Sequence, residues 1–226
     1  MSMKKNFICI ILARGKSKGI KNKNLIRINQ KPLIYWTIKL AKSSRKIKQV
    51  WVSSDSKKIL DYSEKIGALP LLRPTKYSTD KSSSESAWLH SIKEIEKRGV
   101  DFNFVLAPQV TSPLRDKNDF DLAIRSFIKN KNDSLFSCLN VKDFYIWKKS
   151  NKGLNLAYKI KRDVRQNLSE KFLENGSFYI FEKNKFKKYE KRLFGNVGYY
   201  SMKKQNSFQI DDMEDIKIIN KLFKNY

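Results

Sequence analysis

The chain has 226 residues, of which 40% are apolar, with 48 Lys and Arg against 22 Asp and Glu for a net charge of +26. At about 150 residues per domain this is one domain with room for a sizeable core, which excludes global disorder. No run approaches the ~20 apolar residues of a membrane span, which excludes insertion through a helix.

In chain order, Phe7–Ala13 is a short apolar run behind Lys4 and Lys5. Arg14 ends it and no small-residue cleavage site follows, so a buried first strand is expected rather than a leader. Val50–Ser53, Phe102–Ala107 and Leu135–Val141 also read as buried strands. Between them, Pro32–Lys42 and Ser56–Ile66 have helical spacing. Ser82–Lys97 is the clearest helix: Ser82 and Glu85 form a capping box, with Trp88, Leu89, Ile92 and Ile95 on one face. Asp119–Ile128 repeats the pattern, and Ile216, Ile219, Leu222 and Phe223 mark a terminal helix. This alternation predicts an α/β fold, a three-layer sandwich around a mostly parallel Rossmann-like sheet. Ligands would then sit beyond the carboxyl ends of the strands, in the loops after Ala13, Ser53 and Ala107.

Residues 143–173 break the rhythm, with Trp147, Gly153 and many charges. They read as an excursion from a single domain covering 1–226, one that embraces a partner subunit. Cys9 and Cys138 lie in apolar runs and read as reduced core residues, consistent with the cytoplasm. The positive charge recurs in every segment and is densest over Lys183–Arg192. Such an even spread reads mainly as a solvated basic surface, and no recognisable nucleic-acid motif accompanies it, so no nucleic-acid partner is expected.

Four stretches carry candidate chemistry. Arg14-Gly15-Lys16-Ser17-Lys18-Gly19 leaves the first strand with two glycines and three cations. Close backbone approach, free N–H groups and fixed charge suit a triphosphate, or the loop is an ordinary basic turn. Asp55 ends the second strand as a ribose, metal or loop ligand, or as a helix cap. Thr111–Arg115 offers an anion-competent arginine, or a rigid connection capped by Asp116. Gln209-Ile210-Asp211-Asp212 precedes the last helix; in a strand, residues 209 and 211 share a face, and a carboxylate there suits Mg²⁺. The alternative is a helix cap. His90, the sole histidine, is expected to be packed or at the surface, which disfavours histidine-based catalysis.

Taken together, these blocks resemble the N-acylneuraminate cytidylyltransferase (CMP-sialic acid synthetase) family over nearly the whole chain. Arg14–Ile20 with Lys23-Asn24-Leu25 is similar to its Ala-Arg-x-x-Ser-Lys-Gly…Lys-Asn loop. Val52–Asp55 resembles Val-Ser-Thr-Asp, and Arg73-Pro74, Thr79-Asp80 and Ser82–Ser84 resemble Arg-Pro…Thr-Asp…Ser-Ser. Gln109–Arg115 resembles Gln-x-Thr-Ser-Pro-Leu-Arg, Glu174–Tyr179 resembles Asn-Gly-Ala-x-Tyr, and Gln209-Ile210-Asp211 resembles Asp-Ile-Asp.

The resemblance implies a fold of the nucleotide-diphospho-sugar transferase type. It also implies a CTP-dependent activity that joins CMP to a nine-carbon 2-keto sugar acid of the sialic, legionaminic or pseudaminic kind. Arg14, Gly15, Lys18 and Asn24 would bind the triphosphate, with Arg14, Lys18 and Asp211 catalytic. Arg73, Ser82 and Ser83 would border the cytidine, and Gln109, Arg165 and Tyr179 the acidic sugar. Asp211, with Gln209 as a further candidate, would hold Mg²⁺, and the excursion would make a homodimer. Two departures stand out. Gln209 replaces a carboxylate of the metal motif, which weakens it or marks a less active homologue. A His-Pro pair carried by many members is replaced by Asp143-Phe144-Tyr145. The alternatives are activation of an eight-carbon sugar acid, whose enzymes have a different opening loop, and a basic nucleic-acid-binding protein.

Overall fold

The computed structural model describes residues 5–17, 19–141, 145–151, 153–157 and 169–223. Strand β1 (Phe7–Leu12) runs through the middle of the molecule, and its side chains alternate between two cores. Phe7, Cys9 and Ile11 face one apolar cluster, while Ile8 and Ile10 face the other. A strand buried on both faces must be apolar without interruption, which explains why no polar residue breaks the run.

The chain continues through a short hairpin, β2 (Arg27–Ile28) and β3 (Lys31–Pro32), into α1 (Leu33–Ser43). Next come β4 (Ile47–Ser54), α2 (Lys57–Lys65), β5 (Leu69–Leu72) and α3 (Ser84–Lys97). They are followed by β6 (Phe104–Pro108), α4 (Asp119–Lys129) and β7 (Ser134–Val141). After the hairpin β8 (Trp147–Ser150) and β9 (Gly153–Leu156) come β10 (Lys171–Glu182), α5 (Lys183–Tyr189), β11 (Val197–Ser201) and α6 (Met213–Phe223).

The main sheet has seven strands in the order β11-β7-β10-β6-β1-β4-β5. Only β10 runs antiparallel to its neighbours, β6 and β7. Helices α1, α2, α4 and α6 contribute to the core on one face, and α3 and α5 to the core on the other. Trp88 of α3 is the largest fully buried side chain of the second core and packs against the rings of Tyr179, Phe181 and Phe186. The expected three-layer, mostly parallel arrangement is the one observed.

Several boundaries differ from expectation. Helix α3 is capped by Ser83, whose side chain accepts the N–H of Ser86, rather than by Ser82. The Ser82 hydroxyl instead closes the preceding turn, accepting from the Thr79 N–H and donating to the Lys76 carbonyl. With three serines in a row, spacing alone does not choose between them, and the turn takes the first. Asn118, not Asp116, stands at the N-cap of α4; Asp116 pairs with Lys203, and its own N–H is accepted by Asp119. Residues 208–210 are irregular rather than a strand, because the Ile210 N–H bonds the loop carbonyl of Thr111 instead of a sheet ladder.

The hairpin β8–β9 forms a small sheet of its own within the expected excursion. The last residues of that span, Lys171–Leu173, already pair with β7 in the main sheet. Cys9 and Cys138 are both buried thiols without a disulfide. Burial pushes the Cys138 thiol up to about 11, leaving it inert at neutral pH. Among the described residues no helix is long and apolar enough to cross a membrane.

The basic run at α5 is tied to the fold. Lys183 and Lys187 both pair with Glu96, Lys185 with Asp133, and Arg192 with Glu85. These pairs dock α5 and the turn after it onto α3 and the start of β7.

Candidate active site

A polar cleft of about 500 Å³ opens beyond the carboxyl ends of β1, β5 and β6. It lies where side-by-side parallel strands leave their loops diverging, as such sheets require. Its first wall is the loop after β1. Gly15 brings that loop hard against β4: its N–H donates to Asp55 Oδ1 at 2.8 Å, and a Cβ would lie 2.8 Å from the Cβ of Ser56. The Asp55 carboxylate therefore anchors the loop, while Ser56 is the residue at the cap of α2. The loop is fixed again by Asn24, which is buried and donates from Nδ2 to the Arg14 carbonyl at 2.9 Å.

The second wall follows β5. The backbone N–H of Arg73 bonds the Ser54 carbonyl, and its side chain, only 4% exposed, donates from Nε to Ser78 Oγ at 2.9 Å. Burial lowers the Arg73 pKa; the carboxylate of Asp55 opposes that, and Arg14 adds to it. From there the chain enters α3 through Ser82, Ser83 and Ser84, which line the cleft at a helix N-terminus. Free N–H groups and the helix dipole favour an anion or an electronegative ring edge at that position.

The floor and far wall come from Gln109–Thr111 and Asp211. Lys23, with a side chain only 13% exposed, donates from Nζ to the Ile210 carbonyl at 2.9 Å and lies 3.3 Å from Asp211 Oδ1. Gly19 passes so close to this segment that a Cβ would meet the Asp211 carbonyl at 2.9 Å. The cleft thus brings together Arg14, Asn24, Arg73, Ser82, Ser83, Gln109 and Asp211 of the sequence-derived candidates. Lys18 and Arg165 lie outside the described residues.

A match to the family model described as cytidylyltransferase spans residues 8–225 and so takes in every wall of this cleft. The chain belongs to the cytidylyltransferase family. It is 35% identical over 213 residues to N-acylneuraminate cytidylyltransferase A of Danio rerio, a match that covers 89% of the chain. The chain spans about half the length of that relative, 47%. It is 27% identical to the pseudaminic acid cytidylyltransferase of Campylobacter jejuni, with 96% of each covered. The structure of a CMP:2-keto-3-deoxy-manno-octonic acid synthetase complexed with CTP shares the fold, with a TM-score of 0.73 over 98% of this chain and 99% of the other at 12% identity.

Three of the candidates stand apart from the cleft. Tyr179 is 3% exposed; its hydroxyl donates to Glu174 Oε1, and the Arg192 guanidinium sits 4.9 Å from its ring centre. Burial, with Glu174 adding, pushes the phenol up to about 12. Gln209 donates from Nε2 to the Asn175 carbonyl and packs over Gly176, where φ is +63°. Its amide braces the bulge in β10 instead of facing Asp211 across a strand.

Arg115, read from sequence as an anion-binding candidate, is 6% exposed. It donates to Ser177 Oγ, Thr37 Oγ1 and the carbonyls of Gln109 and Ser177, at 2.8, 3.2, 2.6 and 2.7 Å. It therefore holds up the Gln109 wall from behind. Lys23, Tyr77 and Asp80 line the cleft without having been assigned roles from sequence. Lys23 adjoins Asn24 in the loop motif, which was the available signal. Tyr77 rests on the ring of His90, with centroids 4.9 Å apart.

The donor set suits a hard divalent cation only in part. Asp211 offers one exposed carboxylate, and Gln209 is committed elsewhere. Mg²⁺ commonly makes do with one or two carboxylates when substrate phosphates and waters complete its shell.

Proposed function

We propose that this chain activates a nine-carbon 2-keto sugar acid with CTP, giving a CMP-sugar and pyrophosphate. The observation that carries this reading is the convergence of Arg14, Asn24, Arg73, the Ser82–Ser84 helix start, Gln109 and Asp211 on one cleft in a cytidylyltransferase-family chain. The names of the relatives in Danio rerio and Campylobacter jejuni support a nine-carbon acid.

In this reading Arg14, with Gly15, Lys18 and Asn24 in the same loop, takes the triphosphate. Arg73 and the serines at the head of α3 border the cytosine and ribose. Gln109, Arg165 and Tyr179 belong to the sugar side, with Arg165 on the carboxylate and Tyr179 acting through Glu174 and Arg192.

The sugar hydroxyl gives its proton to solvent and attacks the α-phosphorus in line, the bond to the pyrophosphate oxygen breaks, and pyrophosphate leaves with both electrons. Two anions must meet, so Arg14 and Lys23 first lower the local repulsion, and the rigid walls set the angle of attack. A bound Mg²⁺ would supply Lewis-acid stabilisation of the phosphate oxygens from Asp211. Gln209 contributes to the β10 bulge and not to the metal.

One domain with a dimerising excursion at 143–173 completes the proposal, as a cytoplasmic homodimer. The hairpin β8–β9 and the residues beside it expose Ile146, Trp147 and Leu154, an apolar set suited to a second subunit.

The test is pyrophosphate release with CTP, Mg²⁺ and separate sialic, legionaminic, pseudaminic and eight-carbon acids. Release with a nine-carbon acid is expected. Release with the eight-carbon acid alone would overturn the sugar assignment, and silence across the panel from folded, CTP-binding protein would overturn the activity.

A further inference from the structure

Arg14 and Asp80 meet across the mouth of the cleft. Arg14 stands on the loop after β1 and Asp80 on the segment joining β5 to α3, 66 residues apart in sequence, and both line the cavity. Nη1 of Arg14 donates to Asp80 Oδ1 at 2.8 Å, with 35% and 50% of the two side chains exposed. Neither anchor is loose. Asn24 and Asp55 pin the Arg14 loop, and the Ser82 hydroxyl ties Thr79 to Lys76 beside Asp80. The pair therefore links two fixed walls.

A cation that the cleft would offer to a phosphate is thus already held by a carboxylate. We infer that Asp80 sets the affinity of the cleft for polyphosphate by holding Arg14 until a more highly charged anion displaces it. The inference rests on the proposed role of Arg14 with the triphosphate. A carboxylate carries one negative charge and a triphosphate several, so the triphosphate wins the guanidinium while a weaker anion does so poorly. Arg14 meanwhile stays inside the cleft with Nη1 paired, so the exchange needs little rearrangement. When pyrophosphate departs, Asp80 competes for the same guanidinium and favours its release. Asp80 is a positioning residue in this scheme, acting through Arg14.

The test is a double-mutant cycle on the full chain, with CTP and then inorganic pyrophosphate titrated by calorimetry. Asp80→Asn keeps the side-chain shape and removes the charge. It should tighten both ligands by about threefold, the size expected for an exposed ion pair, and lower the melting temperature by no more than about 3 °C. Asp80→Glu should restore the original affinity. In an Arg14→Ala background the Asp80→Asn step should vanish. Equal tightening with and without Arg14 would show a diffuse field effect and overturn the inference, as would no tightening at all. Failure of the unaltered protein to bind CTP would instead overturn the nucleotide reading, and this inference with it.

Discussion

Replacing Arg115 by methionine tests whether the cleft is held in shape from behind. The guanidinium makes four hydrogen bonds, two of them to the carbonyls of Gln109 and Ser177, and sits 6% exposed beside the buried carboxylate of Asp119. Methionine fills much of the volume but donates nothing. The Ser177 carbonyl keeps the Gln109 N–H at 2.9 Å, so not every acceptor is orphaned. Losing one member of a buried charged network costs about 3–5 kcal/mol, and the relief of burying the arginine charge places the expectation at the lower end, about 3 kcal/mol. For a chain of this size that lowers the melting temperature by about 6–12 °C. The assay is thermal unfolding followed by circular dichroism, with the KM for the sugar measured alongside, since Gln109 would shift with its carbonyl. Arg115→Lys should fall between, because one ammonium cannot reach all four acceptors. A methionine variant that melts within 2 °C of the original, counted as about zero change, but has lost turnover would refute the supporting role and place Arg115 on the substrate.

Gly176→Ala should cost about 1–2 kcal/mol in a denaturant titration, because φ is +63° there and a Cβ would press the Gln209 amide at 2.8 Å. Shortening Gln209 to serine as well should remove the contact and leave the backbone cost. Gln209→Asp should lower stability without improving the half-saturating Mg²⁺ concentration, since that side chain faces the Asn175 carbonyl; a tighter metal requirement would contradict the placement. Asp211→Ala should raise the metal requirement for turnover by at least about tenfold, read from initial rates across a Mg²⁺ series. His90 gives a pH prediction. Burial lowers its pKa, with Arg73, Lys97 and Lys76 adding and Glu94 opposing. The unfolded chain therefore takes up this proton first, and stability falls as pH drops below about 6.5 towards the folded value. His90→Gln should flatten the stability profile below about pH 6.5, and an unaltered slope would show that another group titrates there.

The amino-acid sequence determined the parts whose cause is local. Apolar runs at Phe7–Ala13, Val50–Ser53, Phe102–Ala107 and Leu135–Val141 became central strands, and the striped segments between them became helices α1 to α4. The loop carrying Arg14, Gly15 and Asn24 was legible for the same reason: glycines, cations and a strand end are neighbours in the chain. Strand β10 was not, although Ser177–Phe181 is nearly all apolar, because a bulge at Asn175–Gly176 and an antiparallel pairing depend on strands far away in sequence. Tertiary structure alone decided which polar side chains meet. It turned Gln209 onto Asn175, shut Tyr179 in with Glu174 and Arg192, put Arg115 behind Gln109, and set Asp80 opposite Arg14. Periodicity reports which face of an element is apolar. The partners found on that face are fixed only when the strand order brings distant loops to the same end of the sheet.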